Sequence, residues 1–176
     1  MIVKNGGNLF GYAMMRNNNV LTAGKAIWND GANTLVNFTT VTNYTKSTTE
    51  NKIEQNTNVG VTMYLGVGTT PPTVNDYWLD QTEVNGVDIN DDILLRSGTV
   101  GEGANASSLY TFAFMNMSDK TYTVKEICLA VVPSNNSGDP RNGRCIMIAR
   151  KLIVPRTVQP SETITFTYEI SPCGGD

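Results

Sequence analysis

Residues 163–170 (TITFTYEI) alternate without a break, with Thr163, Thr165, Thr167 and Glu169 set against Ile164, Phe166, Tyr168 and Ile170. A period of two places each set on its own face of a pleated strand, a separation that the helical period of 3.6 cannot keep. Three further β-branched and aromatic runs come just before it, at residues 109–115 (LYTFAFM), 121–132 (TYTVKEICLAVV) and 144–154 (RCIMIARKLIV). Such side chains suit a pleated, half-buried surface. The segments between them, 116–120, 133–143 and 155–162, carry Asn, Ser, Asp, Pro and Gly, which favour turns. Four strands in succession with no helical stretch between them predict antiparallel pairing in two stacked layers.

The rest of the chain fits the same class. Charged residues make up 16%, below the usual quarter, and Asn and Thr stand in their place. Residues 59–66 (VGVTMYLG) and 93–99 (ILLRSGT) add two strands, and Pro71-Pro72 ends the run that follows the first. Thr73 is expected to cap a single helical turn, with Val74, Tyr77 and Trp78 on one face and Asp76 at its positive end. The fold class is therefore all-β, an antiparallel β-sandwich with an extended N-terminal arm or hairpins. Residues 1–58 form the arm or hairpin region, 59–171 the sandwich core and 172–176 a flexible tail. Within the arm, Asp30-Gly31 signals a turn between short strands, and the Thr/Asn-rich stretch 38–55 needs a neighbour to cover it.

Chemistry is harder to find. There is no histidine, which removes the commonest general base and the commonest transition-metal ligand. Cys128, Cys145 and Cys173 show no metal-binding spacing; the first two lie in apolar runs, where a bridge between them needs the right register. Asp88, Asn90 and Asp92 match the start of a calcium loop, but Ile93 and Thr99 stand where such a loop needs Gly and Glu. They form a weak calcium candidate, weighed against an ordinary turn. Gly66-Val67-Gly68 lacks the third glycine and the βαβ context of a dinucleotide site. Asp76, Asp80, Glu83 and Asp88 show no spacing that singles out a hydrolase pair. Glu126 and Arg150 each interrupt an apolar strand, and we expect them to form a cross-strand structural ion pair, with Glu126 following Val124 on the inward face. No catalytic residue and no cofactor is expected.

A net charge of −3 offers no electrostatic case for nucleic acid or an anionic membrane, since both reward dense Lys and Arg. The local basic group Arg141, Arg144, Arg150, Lys151 and Arg156 reads as protection of a strand edge. No stretch reaches the ~20 apolar residues of a membrane span, and the first residues do not read as a secretory signal.

One resemblance adds to this reading. Leu65-Gly66-Val67-Gly68-Thr69-Thr70-Pro71-Pro72 followed by Asp76-Tyr77-Trp78-Leu79 resembles a "GxGTxxPxxxDxxL" segment of small virion proteins of tailed bacteriophages. Val124-Lys125-Glu126-Ile127-Cys128-Leu129, Ile148-Ala149-Arg150 and the closing Val158-Gln159-Pro160-Ser161-Glu162-Thr163-Ile164 through Tyr168-Glu169-Ile170 resemble its later strands. Ser161 stands where Gly is frequent, and Val124 where Ile is frequent. The resemblance covers residues 59–170. It implies a non-enzymatic structural component of the virion, in the tail, collar or neck, synthesised in the bacterial host cytoplasm and working as a symmetric homo-oligomer. Its partners would be other virion proteins and copies of itself, with neither nucleic acid nor membrane. The alternative is a head-decoration protein or a receptor-binding fibre module, in which Trp28, Tyr44, Trp78 and Tyr110 stack on a host-surface glycan.

Overall fold

A computed structural model describes residues 1–2, 24–27, 33–36, 60–103, 107–132 and 145–171. Among these the protein is all-β, with antiparallel pairing throughout and one short helix. β1 (Gly24–Ile27) and β2 (Asn33–Val36) pair with each other on either side of the Asp30-Gly31 signal. β3 (Gly60–Gly66), β8 (Tyr122–Val132) and β9 (Ile146–Val158) form one sheet in the order β3-β8-β9. β6 (Ile93–Glu102), β7 (Ser108–Asn116) and β10 (Thr163–Ile170) form a second, in the order β10-β7-β6. Between β3 and β6 lie the two-residue strands β4 (Glu83–Val84) and β5 (Val87–Asp88) and the helix α1 (Ile89–Asp92).

Burial on the second sheet follows the alternation of β10. Ile164, Phe166 and Tyr168 are buried, while Thr163, Thr165, Thr167 and Glu169 face water. They meet Phe112 and Phe114 of β7, then Met63 and Leu65 of β3 and Ile127 and Leu129 of β8, so both sheets feed one apolar cluster. Gly98 lies opposite Phe112 in the β6–β7 register, and a Cβ there would stand 2.7 Å from the Phe112 ring. A glycine is needed because the ring already occupies that space.

The sheet β3-β8-β9 is buried on both faces, which accounts for the unbroken apolar runs of β8 and β9. Its second face carries a separate cluster of Tyr64, Cys128, Ala130, Cys145 and Met147, covered by Leu79 and Trp78 from the connection between β3 and β4. Cys128 and Cys145 are buried thiols that are not bridged, because the register sets Cys128 opposite Arg150 and Val131 opposite Ile146. Cys173 lies outside the described residues.

The expected strand 144–154 runs further than its apolar run, since β9 continues through Pro155 and Arg156 to Val158 before the turn. The connection after β3 also departs from expectation. Residues 73–78 do not form a helical turn: Thr73 and Asp76 close a tight turn at Val74-Asn75, through Asp76 N to Thr73 O (3.2 Å) and Thr73 N to Asp76 Oδ2 (2.9 Å). That leaves Val74 and Tyr77 exposed and Trp78 packed against Tyr64, with ring centroids 4.9 Å apart. Residues 83–88 form the further hairpin β4–β5, whose Asn85-Gly86 turn has φ of 53° and 75°, as a primed hairpin turn requires.

The start of the region expected to be an arm, Met1 and Ile2, pairs with the edge of the chain's own β9. Met1 N donates to Arg150 O (3.0 Å), Arg150 N donates to Met1 O (3.0 Å), and Ile2 bridges Ala149.

Ser161 sits in the turn between β9 and β10 at φ 62°, and its N–H donates to Asn116 O (3.0 Å). This left-handed position favours glycine, since a side chain costs roughly 1–2 kcal/mol in that region. Glycine's extra freedom in the unfolded chain offsets part of the gain. Ser161→Gly should therefore raise stability by about 0.5 kcal/mol, read as a higher urea midpoint with an unchanged m-value.

Candidate functional site

The residues of the "GxGTxxPxxxD" segment, the Glu126 strand and the Arg150 strand converge beneath the connection that runs from β3 to β4. Glu126 is fully buried, and its carboxylate accepts four hydrogen bonds. Oε1 accepts from Gly68 N (3.2 Å) and Gln81 N (3.0 Å); Oε2 accepts from Asp80 N (3.2 Å) and Arg150 Nε (2.7 Å). Arg150, 2% exposed, also donates from Nη1 to Asp76 and from Nη2 to the Thr70 carbonyl (2.9 Å). Asp80 in turn takes Thr69 N (3.1 Å) and Thr70 N (3.2 Å) on Oδ2.

This arrangement explains both glycines. A Cβ on Gly66 would stand 2.6 Å from Glu126 Cγ, and one on Gly68 would stand 2.5 Å from Glu126 Oε1 and from Asp80 Cβ. The backbone must approach this closely for Gly68 N–H to reach the carboxylate. Glycine here serves close contact, not phosphate binding.

The structure brings Glu126 and Arg150 together, on a face different from the one alternation suggests. Tyr122 and Val124 line the core between the sheets, and so do Ile127 and Leu129. The pattern slips between Val124 and Ile127, where the β8–β9 register shifts between Val124 and Glu126. A bulge of this kind re-aims the following side chain. Glu126 thus points to the second face, under the β3–β4 connection. Arg150 stands opposite Cys128 while Glu126 stands opposite Leu152, so the ion pair is diagonal.

Asp88 and Asn90 bond to each other, Asn90 Nδ2 donating to Asp88 Oδ1 (2.8 Å), while Asp92 is tied elsewhere. Asp88 caps α1, accepting from Asn90 N (2.9 Å) and Thr82 Oγ1 (2.9 Å). Asn90 spans to β3, accepting from Leu65 N (2.9 Å) and donating Nδ2 to Leu65 O (2.9 Å). Asp92 accepts from the Tyr122 hydroxyl and, at 3.5 Å, from Lys120 Nζ. Among the described residues no group of three or more Cys, Asp or Glu side chains converges to hold a metal ion. Of the basic group, Arg150 is buried, and Lys151 Nζ reaches Thr167 O (3.0 Å) over the Tyr168 ring. Arg141 and Arg144 lie outside the described residues, as do Trp28 and Tyr44.

The electrostatics favour fixed charge over proton transfer. Burial works to raise the Asp76 carboxyl, but hydrogen bonds from the Thr73 hydroxyl and amide and from Arg150 outweigh it and hold it below the ordinary value. The Thr70 amide and hydroxyl hold Asp80 low in the same way. A general acid needs the opposite shift. Burial pushes Cys145 up to about 11 and Cys128 well above its ordinary value, so neither thiol is a ready nucleophile at neutral pH.

A shallow concavity of about 340 Å³ opens over this network, lined by Thr70, Asp76, Tyr77, Trp78 and Asp80, with Arg150 at its base. Comparison with protein-family models, with curated proteins and with solved structures finds no match.

Two predictions follow from the network. Glu126→Gln puts an amide donor against donors and leaves the Arg150 charge without its buried partner, so it should cost about 3–5 kcal/mol in denaturant unfolding. Replacing both residues by apolar ones, Glu126→Leu with Arg150→Met, should cost less than the sum of the single changes. Acid is the second lever. Asp76 and Asp80 have folded-state values below their unfolded ones, so their contribution is present above the unfolded value, about pH 4, and is lost as pH falls through the folded one. The thermal midpoint should hold from neutral to about pH 5 and then drop, and Asp76→Asn should shrink that drop.

Proposed function

We propose that this protein is a non-enzymatic structural component of a tailed-phage virion, in the tail, collar or neck region, working through subunit–subunit assembly. The observation that carries the reading is the fate of the motif residues. Gly66, Gly68, Asp76, Glu126 and Arg150 close a buried ionic lock that pins a long connection to a sheet. Their charges are met inside the lock, by backbone N–H groups and by one another. A segment whose charged residues are spent on rigidity suits a part that must hold its shape against neighbours.

The two sheets feeding one core also suit the sandwich of those virion proteins. The partners are copies of this chain and other virion proteins, joined through buried surface and through strand addition at sheet edges.

Light scattering and negative-stain microscopy of the purified chain test the proposal. A closed ring or trimer of defined symmetry is the expected result: twelvefold or sixfold for a neck or tail part, threefold for a fibre. Deleting residues 1–55 should leave a folded chain that no longer assembles. A monomer at every concentration, with no affinity for its own copies, would defeat the proposal.

A further inference from the structure

The concavity over the lock is shallow, and its lining restricts what could bind there. Arg150 is a poor anion receptor there, because the side chain is 2% exposed and its charge is already met by the carboxylates of Glu126 and Asp76. Among the described residues, no third acidic or thiol side chain joins Asp76 and Asp80 to hold a metal ion. Both oxygens of Asp76 already accept hydrogen bonds, from the Thr73 hydroxyl on Oδ1 and from Thr73 N and Arg150 on Oδ2. A purely apolar ligand would meet Asn75, Asp80 and Thr70 in the lining. A lone cationic group would gain little from Asp80, an exposed carboxylate in high dielectric.

What remains open is an aromatic wall with hydrogen-bonding groups beside it. Tyr77 is 43% exposed, and Trp78, half-buried, is held in place by the Tyr64 ring. Asp80 and Asn75 lie exposed in the same lining. The backbone beneath is pinned by Glu126 through Gly68 N, Asp80 N and Gln81 N, so the wall does not have to be ordered on binding. A sugar ring offers an apolar C–H face to an aromatic side chain and hydroxyl donors to a carboxylate, and the volume, about 340 Å³, is at the small end of the range for ligand sites.

We propose that this concavity binds a neutral hexose unit of a glycan, with the ring against Tyr77 and hydroxyls on Asp80 and Asn75. A site this small and open binds one sugar weakly, with a Kd on the order of millimolar. Repetition across an assembly would multiply the avidity. The assignment goes beyond the structural role proposed above and does not depend on it.

Saturation-transfer NMR on the full chain tests it and tolerates any assembly size. The probes are the methyl glycosides of glucose, galactose, mannose and N-acetylglucosamine, with a lysine-rich peptide as the cationic control. Saturable transfer to at least one sugar is expected, weakened at least ~10-fold in Tyr77→Ala, whose thermal midpoint should match the parent's because the residue is exposed. Transfer to none of the sugars, transfer unchanged in Tyr77→Ala, or displacement of the sugar signal by the lysine peptide would each overturn the assignment. A chain that assembles but ignores sugars sinks this inference alone, and a monomer that binds them sinks only the assembly.

Discussion

A carboxylate taken completely out of water must be met on every side, and Glu126 is met by three backbone N–H groups and a guanidinium. Removing an ion from water costs several kcal/mol even after relaxation, so an incomplete set of partners would have left the fold poorer than an apolar core. The complete set has a structural consequence. The three amides belong to the connection between β3 and β4, the carboxylate to β8 and the guanidinium to β9, so one residue joins three parts of the chain distant in sequence.

That junction decides how the sheet β3-β8-β9 is buried. One face packs on the partner sheet through Met63, Leu65, Ile127 and Leu129. The other would be exposed were it not for the connection carrying Trp78 and Leu79 onto Tyr64, Cys128 and Met147. The lock at one end and the apolar cluster at the other hold the same connection, and each makes the other more favourable by sharing its ordering cost. Arg150 contributes a second time through its backbone, which pairs with Met1 at the outer edge of β9.

Rigidity and recognition are compatible here. Hydrogen bonds hold the Asp76 and Asp80 carboxyls below their ordinary values, and the same connection presents the exposed Tyr77 to other molecules. A preformed wall loses less entropy on contact than a mobile loop would, whether it meets a neighbouring subunit or a sugar.

The strands were legible in the sequence because β-branched and aromatic residues alternating at a period of two have few other ways to bury one face. Residues 163–170 coincide with β10, and the runs at 109–115 and 121–132 match β7 and β8 to within a residue at either end. The Asn85-Gly86 turn carries a sequence signal of its own, the Asn-Gly pair of a primed hairpin. The partnership of Glu126 with Arg150 was legible as a suspicion, since two charges inside apolar runs need each other. Three things only the tertiary structure decided: the bulge that turns Glu126 away from the core, the use of Gly66 and Gly68 to admit the backbone to its carboxylate, and the tight turn at Thr73–Asp76 in place of a helix. Alternation reports local geometry, but these three depend on which distant groups arrive at the same place, and a buried charge takes whichever partners the packing delivers.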